Sequence, residues 1–159
     1  MDRKLMTEKH LDTPLTPELC CSNIKSSLLF YTEILGFSIQ YQREEDRFAM
    51  LERQGSRIML EEIGKDSVSG TGRTWLSGPL EVPFGRGINL QIKTDRVNDL
   101  YDCVQKAGAN IFLPIEEKWY RANDVELGNL QFIVLDPDSY MLRFFQDLGE
   151  RKSKNLGRL

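Results

Sequence analysis

The sequence predicts an α+β fold made of two tandem copies of one unit, strand–helix–strand–strand–strand, and three observations carry that prediction. The first is a hairpin. Over residues 125–145, VELGNLQFIVLDPDSYMLRFF, one side alternates around Leu130, Phe132 and Val134, the other around Met141, Arg143 and Phe145. Between them stands Asp136-Pro137-Asp138-Ser139, whose ring and short polar side chains favour chain reversal. The second observation is recurrence: residues 48–59 line up with residues 132–143 at a constant offset of 84 residues, which pairs Met59 with Arg143. The third is a helical stripe ahead of each hairpin. Ile24, Leu28, Leu29, Tyr31 and Leu35 form the first and close at Gly36; Val97, Leu100, Tyr101 and Val104 form the second and close at Gly108.

In chain order, residues 1–14 are polar and aperiodic and read as a flexible tail that holds the only histidine, His10. The commonest proton-transfer residue near neutral pH is thereby kept out of the predicted core. Glu18-Leu19-Cys20-Cys21 reads as a strand, Asn23 as the cap of a helix reaching Gly36, and Phe37 restarts a strand that leads to the first hairpin. Module one is thus 16–62. The linker 63–86 is rich in Gly, Ser and Pro but contains Trp75, Leu80, Val82 and Phe84, which need a surface to pack on. Module two, 87–146, repeats the order: strand at Ile88–Ile92, cap at Asp95, helix to Gly108, strand from Ile111, then the second hairpin. Cap and glycine are equally spaced in the two modules. Neither module alone covers both its helix stripe and its strand face, so the two are expected to pair within one domain, 15–148. Residues 149–159 read as a basic tail.

Composition narrows the function classes. With 159 residues, 40% hydrophobic, the chain can bury one sizeable core. Net charge is −3 and the only basic cluster is Arg151, Lys152, Lys154 and Arg158, so nucleic acid is not an expected partner. No apolar run is long enough to cross a membrane and no signal-like segment opens the chain, which makes a cytoplasmic protein the expectation. Three cysteines, two of them adjacent, form neither a disulfide framework nor a metal-binding spacing.

Three pieces carry a resemblance to a known family: CSNIKSSLLFYTEILGF (Cys21–Phe37), FGRGINLQI (Phe84–Ile92) and GNLQFIVLDPDSYMLRF (Gly128–Phe144). At these separations they resemble the vicinal-oxygen-chelate superfamily, which includes glyoxalase I, extradiol dioxygenases and bleomycin-resistance proteins. The resemblance implies paired βαβββ modules whose open, curved mixed sheet encloses a cleft. It also implies metal ligands at one inward position on each of four strands. Those positions hold Thr16, Met59, Asn89 and Arg143. Met and Arg do not suit a divalent cation, so no cofactor is expected. A two-residue shift along each strand gives Glu18, Glu61, Gln91 and Phe145, and the first three offer oxygen donors. That set is the alternative, a metal-dependent lyase, isomerase or dioxygenase.

The branch most similar to the chain is that of the bleomycin-resistance proteins, also through Pro17-Glu18-Leu19 and Trp119-Tyr120-Arg121. This resemblance implies a homodimer that sequesters a small molecule, with no reaction, in a groove between subunits, and antibiotic resistance as a use. Aromatic faces attract planar and cationic compounds, and carboxylates add directional charge. The candidate ligand-binding residues are therefore Glu18, Glu61, Trp75, Phe84, Gln91, Trp119, Tyr120 and Arg143. Trp119 and Tyr120 are neighbours on a strand, so only one faces the groove. Glu116-Glu117 reads as a solvated turn. Arg143, between Leu142 and Phe144, should face the cleft with Glu61 or Glu18 as its partner. A third class, an interaction module with a vestigial cleft, differs from the first in showing no stabilisation by any ligand.

Overall fold

Asn23 begins the first helix as expected: its side-chain oxygen accepts the Ser26 amide at 2.9 Å, satisfying one of the amides that no helical carbonyl reaches. In the computed structural model, which describes residues 13–63 and 75–153, α1 (Ile24–Leu29) runs directly into a π-helical turn, Phe30–Ile34. Gly36, at φ 73°, closes it in the left-handed conformation that glycine adopts freely. The second helix, α2 (Val97–Lys106), is regular and ends before Gly108 at φ 66°. Its cap position is Arg96, not the predicted Asp95, and no side chain of its own caps it. The Val97 amide instead donates to Gln146 at 3.4 Å, and the Asp95 amide to Gln54 at 3.2 Å. The equal spacing of cap and glycine in the sequence thus concealed a one-residue difference, which the first helix absorbs in its π turn.

Each helix is followed by three strands. Module one contains β1 (Glu18–Cys21), β2 (Ser38–Arg43), β3 (Phe48–Arg53) and β4 (Ser56–Glu62), ordered β1-β4-β3-β2. Module two contains β5 (Asn89–Lys93), β6 (Ile111–Ala122), β7 (Val125–Leu135) and β8 (Met141–Lys152), ordered β5-β8-β7-β6. In each sheet the first strand pairs parallel with the last and the hairpins are antiparallel. The predicted α+β fold of two βαβββ modules is therefore present, as two four-stranded mixed sheets. β8 pairs with β7 out to Lys152, so residues 149–152 are strand and not the start of a tail. Glu116 and Glu117 lie within β6 and form no turn. His10, residues 64–74 of the linker and residues 154–159 fall outside the described residues.

One core serves both modules. Leu19, Leu51 and Leu60 of the first join Phe132, Leu142 and Phe144 of the second, with helix residues Tyr31, Leu35, Val97 and Val104 between them. The modules are bolted together by their hairpin turns, each set on the strand–helix junction of the other module. In module two, Asp136 Oδ1 accepts the amides of Asp138 and Tyr140 at 2.9 Å, shaping the turn. Its Oδ2 accepts the buried Tyr31 hydroxyl at 3.0 Å, Asp138 accepts the Ser22 amide, and the Tyr140 hydroxyl donates to the Cys20 carbonyl at 2.9 Å. In module one the β3–β4 turn reciprocates: Arg53 donates to Thr94 at 3.0 Å while Gln54 takes the Asp95 amide. Gln54 and Asp138 occupy equivalent places in the sequence repeat.

Two outcomes follow from this turn. Ser139 sits at φ 67°, where its equivalent, Gly55, sits at 84°; Ser139→Gly is expected to raise unfolding free energy by about 0.5–1 kcal/mol in denaturant titration. Burial pushes the Asp136 carboxyl up to about 6, against the lowering effect of its three donors. A carboxyl raised on folding stabilises below its unfolded pKa and loses that contribution as pH rises through the folded value. The stability of the protein relative to an Asp136→Asn variant should therefore fall from about pH 4 to pH 6, read by chemical denaturation at each pH.

Candidate functional site

Period-two alternation divides each sheet into a core face and an open face. Leu142 and Phe144 point to the core, so Met141, Arg143 and Phe145 point away, and the same alternation puts Glu18, Met59 and Glu61 on the open face of the first sheet. The strand registers settle which positions correspond: Glu18 stands opposite Met59 in one module, and Gln91 opposite Arg143 in the other. Thr16 precedes β1, its hydroxyl 2.9 Å from that of Thr13, and Asn89 pairs with Met141. The four corresponding open-face positions are thus Glu18, Met59, Gln91 and Arg143.

On the second sheet these residues form a defined cavity of about 360 Å³, lined by Gln91, Tyr120, Leu127, Asn129, Arg143, Phe145 and Asp147. Arg143 lies on its floor. Its Nη2 donates to Gln91 Oε1 at 2.7 Å, its guanidinium carbon is 5.9 Å from the Tyr120 ring centre, and its Nε is buried with no hydrogen-bond partner. The expected ion pair with Glu61 or Glu18 is absent; among the described residues Arg143 makes none. The reason is placement, because β4 and β8 belong to different sheets. Behind Tyr120, Gln131 donates from Nε2 to the Tyr120 hydroxyl at 2.7 Å and to Glu116 at 3.0 Å. Gln131 is 1% exposed, and its Oε1 has no partner.

The two acids stay on the first sheet. Burial, and then the adjacent Glu18 carboxylate, holds the Glu61 carboxyl above its ordinary value. Among the described residues no three His, Cys, Asp or Glu side chains converge as a metal site would require. Gln91, the third member of the alternative set, has its carbonyl oxygen engaged by a cation, Arg143. Neither donor set fits a divalent metal.

The remaining candidates lie elsewhere. Phe84 packs against the core, and Trp75 is 68% exposed; neither lines the cavity. Trp119 and Tyr120 do face opposite ways. Tyr120 is the one in the cavity, while the Trp119 indole lies flat over Gly128 on the face that carries Leu130, its ring 4.1 Å from the Arg151 guanidinium carbon and its N–H held by Glu117 at 2.6 Å. Sequence reasoning passed over Leu127, Asn129, Gln131 and Asp147. Gln131 was the visible one, a polar residue between Leu130 and Phe132 in the most apolar strand.

The family model described as Glyoxalase/Bleomycin resistance protein/Dioxygenase superfamily matches residues 10–144. The chain belongs to this superfamily. A bleomycin resistance protein from Geobacillus stearothermophilus is 27% identical over 143 residues, covering 83% of this chain and 95% of the relative; one from Staphylococcus aureus matches equally. Among solved structures, a virulence protein from Salmonella typhimurium superposes with a TM-score of 0.61 at 21% identity, covering 85% of this chain and 96% of that one. TioX from Micromonospora sp. ML1 gives 0.61 at 17%, covering 86% and 100%. These two share the superfamily fold.

Gly128 tests the placement of Trp119. A Cβ there would come within 2.6 Å of the indole, so Gly128→Val should lift the ring into water, shift tryptophan emission to longer wavelength and destabilise the protein by about 1–3 kcal/mol.

Proposed function

We propose that the protein is a metal-free small-molecule-binding protein of the bleomycin-resistance type, which sequesters an aromatic ligand on the open face of its second sheet. The observation that carries this reading is Arg143. A fixed positive charge occupies a position where the metal-dependent pattern would place a ligand atom, so the floor repels a divalent cation. Tyr120, Phe145 and Leu127 give the same cavity the apolar walls that bind a ring, and about 360 Å³ falls within the usual range for small-molecule sites. Of the two ligand chemistries expected from the sequence, aromatic is the one these groups favour, since a cation would meet Arg143. The names of the relatives support sequestration, and the side chains lining the cavity are mainly those that bind and orient a ligand.

The reading includes a homodimer. The outer strands β2 and β6 each leave one edge unpaired, and they expose Ile39, Tyr41, Phe112 and Tyr120, residues that a second copy would cover in completing the groove. Light scattering after size exclusion is expected to give twice the chain mass.

The deciding experiment is a melting series with divalent metals and with planar aromatic compounds, bleomycin among them, with bound metal assayed in parallel. Aromatic ligands are expected to raise the melting temperature by several degrees, since a hundredfold excess over Kd adds about 2.7 kcal/mol. The metals should neither bind stoichiometrically nor stabilise. Stoichiometric metal that disappears in Glu18→Ala or Glu61→Ala would overturn the proposal and establish a metalloenzyme.

A further inference from the structure

Arg143 uses very little of its hydrogen-bonding capacity within the protein. A guanidinium has five N–H groups; here the only bond from Arg143 to a described residue is that from Nη2 to Gln91, and Nη1, unlike the buried Nε, remains accessible. A partly buried charge without a counter-ion is unfavourable unless something else supplies one. Gln91 accepts from one edge and fixes the plane of the group, which lines the cavity and keeps Nη1 free to donate. A second unfilled group stands behind the same wall, the shielded Gln131 carbonyl oxygen, whose amide nitrogen holds the Tyr120 hydroxyl in place. Tyr120 and Phe145 border the cavity beside the guanidinium.

We infer that the ligand is an aromatic carboxylic acid, its carboxylate received by the Arg143 guanidinium and its ring lying between Tyr120 and Phe145. This rests on the reading of the open face as a ligand site and specifies the ligand's charge. A carboxylate matches the guanidinium in shape, and paired N–H···O bonds between them are stronger than neutral ones. Gln91 acts as a positioning residue, holding the fork toward the cavity. Asp147 lies at the rim, where it forms an ion pair with Lys93 at 3.6 Å and so does not compete for Arg143.

The test uses two probes of nearly equal shape, 2-naphthoate and 2-naphthamide, titrated into the full-length protein by calorimetry, with tyrosine chemical shifts as the local readout. Naphthoate should bind about tenfold or more tighter than naphthamide. Arg143→Met should abolish the preference while retaining the melting temperature of the free protein or raising it, because an unpaired charge is removed. Arg143→Lys, which keeps charge but not the fork, should retain only part of the preference and guards against a Met variant that fails to fold. Equal binding of the two probes, or naphthoate binding unchanged in Arg143→Lys and Arg143→Met, would overturn the inference while leaving a ligand site standing. Binding of neither probe would overturn it together with the reading on which it rests.

Discussion

The fold depends on a carboxylate kept away from water. Asp136 is 5% exposed, yet it accepts two amides of its own turn and a hydroxyl from the other module. Those three donors offset part of the loss of hydration, and losing the Tyr31 hydroxyl would leave the buried Oδ2 unfilled at a cost of about 1–3 kcal/mol. The turn shaped in this way places Asp138 against the Ser22 amide and Tyr140 against the Cys20 carbonyl. A short Asp-Pro-Asp segment therefore fixes the angle between the sheets, and with it the position of β5 and β8, which carry Gln91 and Arg143.

The open faces, by contrast, are left incompletely satisfied. Among the described residues four buried polar atoms have no hydrogen-bond partner; two of them, Arg143 Nε and Gln131 Oε1, belong to the cavity and its wall, and the others are Ser27 Oγ and Arg53 Nη1. Polar groups held short of partners lower stability, and proteins keep them chiefly where a ligand supplies what is missing. The two modules differ here. Equivalent open-face positions hold Glu18 and Met59 in the first and Gln91 and Arg143 in the second, so the corresponding pair carries a negative charge in one module and a positive charge in the other.

Much of this was legible in the residues. Alternation and the 84-residue repeat located both hairpins, the glycine stops located both helix ends, and the position of Arg143 between Leu142 and Phe144 put it on the open face. What escaped was anything that depends on another element. Asp95 looked like a cap because its residue type is right, but its amide is satisfied from Gln54 across the module boundary. The partner of Arg143 was sought among carboxylates because charge favours charge; the neighbouring strand of its own sheet supplied a glutamine instead. Trp119 looked like a ligand wall, but Gly128 opposite it leaves a flat bed for the indole. Long-range complements of this kind have no local periodicity to announce them.

The reciprocal seating of the two turns bears on ancestry. Each module presents a turn and receives one, and the pieces that meet occupy equivalent places in the repeat. An interface of that form is self-complementary, the property of twofold assemblies of identical subunits. A single ancestral module with this turn and this junction would have had a socket for a copy of itself, and fusing the pair into one chain would have required only a linker. Fusion also releases the halves from having to stay identical. The inserted residue of the π turn, the longer strands of the second module and the opposite charges of the Glu18–Met59 and Gln91–Arg143 pairs are differences that a symmetric pair of identical chains has no means to acquire.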